Sequence, residues 1–224
     1  MLAGLLAESV FHWIEYQRCI GIDGYINESF LTTPIVACLS SQGWRAKKET
    51  DYAKICAAVT SDKCYADFFF EDGEARLVLE TKFYRASPQS KIFDDFLRLA
   101  LPSDPRLMRL ALVVRSVEPK LWGQFKDVLD LTEGAKVEID PILFKLRGAN
   151  GEFLLEYNKK EFARLREFAL TPLGPFSVEC LRKIQGQRYA VSLLSVARDV
   201  ACPKAPQSSV LSASPPPSIA VSMM

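Results

Sequence analysis

Histidine is nearly missing from this 224-residue chain: His12 is the single one, and most metal and nucleophile chemistry that imidazole supports goes with it. No Ser-His or Cys-His catalytic pair can be assembled around another imidazole, and His12 lies in an apolar stretch beside Trp13 and Ile14, where packing is the expected role. Six cysteines, Cys19, Cys38, Cys56, Cys64, Cys180 and Cys202, include no Cys-x-x-Cys pair and no neighbouring histidine, so no zinc site is expected. They read as free thiols within or near the core of a reduced, cytoplasmic protein. Charge of one sign is also lacking: 28 Lys and Arg stand against 27 Asp and Glu, and a net charge of +1 supplies no protein-wide field for a polyanion. No glycine-rich phosphate loop or internal repeat is visible. The apolar start, Met1 to Trp13, lacks a basic lead-in and contains Glu8; it reads as a helix rather than a signal peptide or membrane span, and no membrane partner is expected.

What remains is an ordinary globular composition, 49% hydrophobic, long enough to bury one core. Residues 1–202 read as a single domain, with a core at 27–114 and an α+β elaboration at 115–202. From 203 to 224 proline, serine and alanine dominate, as in Ser214-Pro215-Pro216-Pro217, and a disordered tail is expected. An N-terminal helix over 1–20 would dock on the domain or serve a homodimer interface. In the elaboration, helices are expected over Lys120–Leu129 and Phe153–Leu170, a strand over Lys136–Phe144, and a hairpin of Phe176–Arg182 and Arg188–Val196 joined at Gln185-Gly186-Gln187.

The most strand-like part of the chain is Tyr65-Ala66-Asp67-Phe68-Phe69-Phe70, then Glu71-Asp72-Gly73-Glu74, then Ala75 to Lys82. Asp72-Gly73 between such runs predicts a tight hairpin turn. With those two residues at its centre, Phe70 faces Ala75 and Asp67 faces Val78. Alternation then puts Val78, Glu80 and Lys82 on one face with Asp67 diagonally beside Glu80. A three-residue loop would send Asp67 to the other face. Two convergent carboxylates offer hard oxygen ligands to magnesium, with manganese as a substitute, and a metal there polarises a phosphate and acidifies a bound water. Lys82 can orient or deprotonate that water, or offset charge on the phosphate oxygens. The set suits phosphodiester hydrolysis; the plain alternative is an edge-strand ion pair between Glu80 and Lys82.

Flanking elements extend the pattern. Asn27 to Leu39 reads as a helix, interrupted or started late at Pro34, and Trp44 to Asp51 as a strand. After Lys82, Ser87-Pro88 opens a helix whose apolar face is Ile92, Phe93, Phe96, Leu97 and Ala100. Leu107 to Val114 reads as a strand buried on both faces, parallel to the Glu80 strand after the crossover. A second Glu-x-Lys, Glu118-Pro119-Lys120, has proline in its centre and no aspartate-bearing hairpin before it.

With this αβββαβ order, residues 27–114 resemble the PD-(D/E)XK nuclease superfamily, also called restriction-endonuclease-like, whose core carries an aspartate on its second strand and Glu-x-Lys on its third. The resemblance covers less than half of the chain and implies an α/β fold with a mixed central sheet flanked by helices. By that likeness Asp67 and Glu80 bind magnesium with the main-chain carbonyl of Thr81, Lys82 is the catalytic lysine, and Glu28 matches a glutamate that many members carry on the first helix. Ala66 stands where the motif's name has proline. The implied activity is magnesium-dependent cleavage of DNA in preference to RNA; the alternative is an inactive relative that binds nucleic acid or protein. A protein with no nucleic-acid role is the third reading, favoured by the neutral charge. A local basic footprint for DNA would comprise Arg45, Lys47 and Lys48 on the first strand and Arg85 and Lys91 near the site; Arg45, Lys47 and Glu49 on one strand face read equally as a solvated edge.

Overall fold

The structure, a computed structural model, describes residues 1–56, 65–84, 91–117, 126–141, 145–148, 151–154 and 174–198. The chain is α/β, with helices set against one mixed open sheet. The helices are α1 (Leu2–Cys19), α2 (Thr32–Ser41), the single turn α3 (Tyr52–Ile55), α4 (Lys91–Ala100) and the single turn α5 (Lys126–Leu129). The strands are β1 (Arg45–Asp51), β2 (Tyr65–Asp72), β3 (Ala75–Tyr84), β4 (Leu107–Ser116), β5 (Lys136–Asp140), β6 (Lys145–Gly148), β7 (Gly151–Leu154), β8 (Phe176–Gln185) and β9 (Tyr189–Arg198). They form a nine-stranded sheet in the order β1-β2-β3-β4-β9-β8-β5-β6-β7. Among the described residues only β3 and β4 pair in parallel, as a crossover through α4 requires.

Strand alternation divides the core between the two sheet faces. Leu77 and Leu79 join Phe68, Phe70, Leu110 and Leu112 on the face covered by α1 and α2, through Leu6, Val10, Ile14, Ile35 and Leu39. Val78 joins Phe69, Ala111 and Val113 on the other face, beneath Ile92, Phe93, Phe96 and Leu97 of α4 and Tyr52 of α3. Fully burying each such Leu, Ile or Phe contributes roughly 1.5–3 kcal/mol, so both helical layers are anchored by their apolar stripes. The α1 stripe is Leu6, Ala7, Val10, Ile14 and Gln17; Leu5 is exposed, as is His12, whose ring meets Phe11 edge-on at 5.7 Å. Of the cysteines, Cys19 is exposed, Cys38 and Cys56 are half-buried and Cys180 is buried, all as free thiols; Cys64 and Cys202 lie outside the described residues.

Several expected boundaries change for local reasons. Asn27 caps a 3-10 turn, Glu28–Leu31, through Ser29 N–H at 2.9 Å, and α2 begins only at Thr32. Pro34 then falls in the first turn of α2, where its missing N–H has no helical partner to lose. β5 stops at Asp140, before Pro141, short of the expected Phe144. Phe153 and Leu154, expected in a helix, instead sit in β7, paired with Leu146 and Lys145 of β6. Residues 155–170 of that expected helix, the Ser87-Pro88 start of α4, the second Glu-x-Lys and the tail from 203 lie outside the described residues. The β8–β9 hairpin runs longer than expected, with Gly186 N–H donating to the Tyr189 carbonyl at 2.9 Å. A Cβ at Gly186 would stand 2.9 Å from the Phe11 ring, so the glycine lets α1 lie close against this hairpin.

One correction bears on the site. The β2–β3 turn is centred on Gly73-Glu74 rather than Asp72-Gly73, because Asp72 pairs with Ala75, Phe69 with Val78 and Phe68 with Leu79. Gly73 takes the first central position at φ 57°, where both primed hairpin turns demand a positive φ. Gly73→Val should therefore cost about 1–2 kcal/mol, the penalty of a Cβ in left-handed backbone, read as a lower denaturant midpoint with unchanged m-value. An unchanged midpoint would refute this turn.

Candidate active site

Moving the turn by one residue displaces every cross-strand partner by two, which preserves the faces. Phe68 and Leu79 are the last paired rung of β2 and β3, and the next position places Asp67 across from Glu80. There the Asp67 carboxylate reaches to the neighbouring strand: Oδ2 accepts from the Thr81 backbone N–H at 2.8 Å and from its hydroxyl at 2.9 Å. Glu80 and Lys82 alternate onto the same face as Val78, toward α4. Glu80 is 1% exposed, and its Oε1 accepts from the Tyr52 hydroxyl at 2.8 Å. Tyr52 gets there because α3, capped by Asp51 through Ala53 N–H at 2.9 Å, turns the chain inward directly after β1. The other oxygen, Glu80 Oε2, is buried with no hydrogen-bond partner.

Lys82 Nζ donates to the Thr81 carbonyl at 3.1 Å and is ion-paired with Asp95 Oδ2 at 3.1 Å and Glu28 Oε1 at 3.7 Å. Glu28 thus does approach the site, though from the exposed 3-10 turn rather than from the body of a helix. Three members were not anticipated, Tyr52 and two from α4. Asp95 and Arg98 both project from α4: the Arg98 guanidinium binds Asp95 Oδ1, and its Nε lies 3.5 Å from Glu80 Oε1. Asp95 is 2% exposed. Its signal was present, because residue 95 stands three after Ile92, one before Phe96 and four before Leu99, a core-facing place on the helix.

Of the expected basic footprint, Arg45 and Lys47 are exposed on edge strand β1. Lys47 is paired with Glu71 at 2.6 Å and stands 6.0 Å from the Phe69 ring centre. The side chains of Lys48 and Lys91, and all of Arg85, lie outside the described residues.

Burial and like charge dominate the electrostatics. Desolvation pushes the Glu80 carboxyl up to about 8; Arg98 opposes this, Asp95 and Asp67 reinforce it, and the Tyr52 hydrogen bond lowers it. Burial likewise raises Asp95 to about 6 against the pull of Arg98 and Lys82. For Lys82, burial favours the neutral amine, but Asp95, Glu28 and Asp67 outweigh it and hold the pKa above its ordinary value. Tyr84, next on the same strand face, is raised chiefly by burial. Formally, four carboxylates (Asp67, Glu80, Asp95, Glu28) face two cations (Lys82, Arg98), a surplus of two negative charges.

Among the described residues no group of three or more His, Cys, Asp or Glu side chains is placed to hold a metal. Magnesium needs fewer: it usually keeps several waters and is held by one or two carboxylates plus substrate phosphate oxygens. Asp67, Glu80 and the Thr81 carbonyl are the oxygen groups here that could hold such an ion, and Glu80 Oε2 is buried without a hydrogen-bond partner. No protein-family model matches the chain, nor does any curated protein or solved structure. Among the described residues no helix is long and apolar enough to cross a membrane.

The raised acids make stability depend on pH. A carboxyl with a higher pKa folded than unfolded binds protons on folding, so its contribution is complete below the unfolded value and is lost as pH rises through the folded one. The metal-free protein should therefore melt at progressively lower temperature from about pH 4 to pH 8, the window that Asp95 and Glu80 define. Glu80→Gln should flatten the upper part of that slope. Equal slopes in scanning calorimetry would place Glu80's titration elsewhere.

Proposed function

We propose that this chain is a magnesium-dependent nuclease of the PD-(D/E)XK kind, hydrolysing phosphodiester bonds of DNA. The observation that carries the reading is Asp67 and Glu80 side by side at the separated end of the β2–β3 hairpin, with Lys82 adjacent and one Glu80 oxygen without a partner. Asp67, Glu80 and the Thr81 carbonyl would hold magnesium, or manganese in its place, and the bound ion would polarise the phosphate and lower the pKa of a water.

The chain's own groups then have distinct tasks. Lys82, ringed by Asp95, Glu28 and Asp67, stays an ammonium; it is suited to offset charge developing on the phosphate oxygens rather than to remove a proton from water. Thr81 holds Asp67 by two hydrogen bonds, and Tyr52 holds Glu80, so both carboxylates are oriented before any ion arrives. DNA as substrate rests on the likeness and on the exposed Arg45 and Lys47 along β1. A second reading, a subunit of similar fold without turnover, is favoured by one contact pair: Arg98 stands against Glu80, and Lys82 already occupies the Thr81 carbonyl.

Turnover of plasmid and linear DNA at saturating magnesium separates the two. Glu80→Ala and Asp67→Ala should abolish cleavage with the fold intact by circular dichroism. Lys82→Ala should lower kcat by about a hundredfold or more at saturating magnesium without weakening metal binding, as for loss of a group that acts on the transition state. Equal rates for wild type and Lys82→Ala reject the catalytic lysine, and an inert wild type supports the second reading.

A further inference from the structure

The two α4 residues that the site acquires are more than a structural ion pair, because of what their partners touch. Lys82 Nζ donates to the Thr81 carbonyl, and Arg98 Nε stands 3.5 Å from Glu80 Oε1. Those are two of the three groups assigned to the metal. Each of these protein cations also contacts Asp95: Lys82 at Oδ2, 3.1 Å away, and Arg98 at Oδ1. One buried carboxylate therefore holds both cations by separate oxygens, while the same cations lean on the groups that a divalent ion would need.

We infer that Asp95 is a positioning residue, the shared counter-ion onto which Lys82 and Arg98 withdraw when a divalent cation takes Glu80 and the Thr81 carbonyl. This rests on the metal-dependent reading of the site. Without metal, Lys82 and Arg98 supply the positive charge that Glu80 and Thr81 lack, since an uncompensated buried carboxylate is costly. With metal, leaving them in place would set three positive centres together. Asp95 lies outside the expected ligand set and already contacts both cations, Lys82 at Oδ2 and Arg98 at Oδ1. Lys82 is thereby brought to rest beside the ion rather than on its ligand, where a phosphate oxygen can reach it.

The test is manganese affinity of the full-length chain by isothermal titration calorimetry, with no substrate present. Arg98→Met should tighten binding about tenfold, the scale of one nearby unit charge in a partly solvated site, and Lys82→Met should act in the same direction. Loss of structure can only weaken binding, so tightening is not an artefact of misfolding. Asp95→Asn should weaken binding by a similar factor, but only while both cations are present: in a Lys82→Met/Arg98→Met background its effect should vanish. An equal loss in both backgrounds overturns the inference, because Asp95 then acts on the ion directly. Binding that ignores all three substitutions also overturns it while leaving the nuclease reading intact. Absence of manganese binding in every protein, wild type included, overturns both.

Discussion

A carboxylate buried in a sheet, as Glu80 is at 1% exposure, is the constraint around which this half of the molecule is arranged. Removing a charge from water costs several kcal/mol unless hydrogen bonds and opposite charge replace the lost hydration. Three elements converge to do so. α3 turns Tyr52 inward to donate to Oε1, α4 brings Arg98 alongside, and β2 ends its pairing one rung before Asp67, so that this second carboxylate binds Thr81 rather than competing for the same donors. The balance is incomplete: Oε2 has no partner and the carboxyl remains pushed up to about 8. A buried carboxyl with a raised pKa and a specific charge partner is the kind of group on which a functional hypothesis is founded.

The rest of the architecture holds this cluster still. The parallel β3–β4 pair places α4 over the Val78 face, and Ile92, Phe93 and Phe96 beneath it fix where Asp95 and Arg98 can reach. On the opposite face α1 and α2 cover Leu77 and Leu79, so β3 is clamped on both sides and its alternating residues have no freedom to slip register. β8 and β9 extend the sheet beyond β4 and carry α1 against their turn at Gly186. Leu194 and Val196 of β9 share the core with the apolar face of α4.

How much of this could be read beforehand depended on whether the signal was local. Glu80 and Lys82 were legible because strand alternation needs only neighbouring residues, whereas the Thr81 carbonyl came only with the family resemblance. Asp67 survived a misplaced turn because moving a two-residue turn by one position changes pairing by an even number. Glu28 was reached despite Pro34, since Asn27 caps a separate 3-10 turn there. The partners from elsewhere were not legible. Asp95 was not singled out, although its spacing from Ile92 and Leu99 placed it inward. Tyr52 follows a strand with nothing local to say that the chain turns in. In the C-terminal half, the apolar spacing after Phe153 suggested a helix where Phe153 and Leu154 belong to β7.

The central claim is that the partly unsatisfied pair Asp67 and Glu80 is a seat for one divalent cation. Anomalous diffraction from crystals grown in manganese tests it most directly. The account predicts a single strong peak bounded by the Asp67 and Glu80 carboxylates and the Thr81 carbonyl, with Lys82 and Arg98 both drawn onto Asp95. No peak there at millimolar manganese, with Lys82 still on the Thr81 carbonyl, would contradict it.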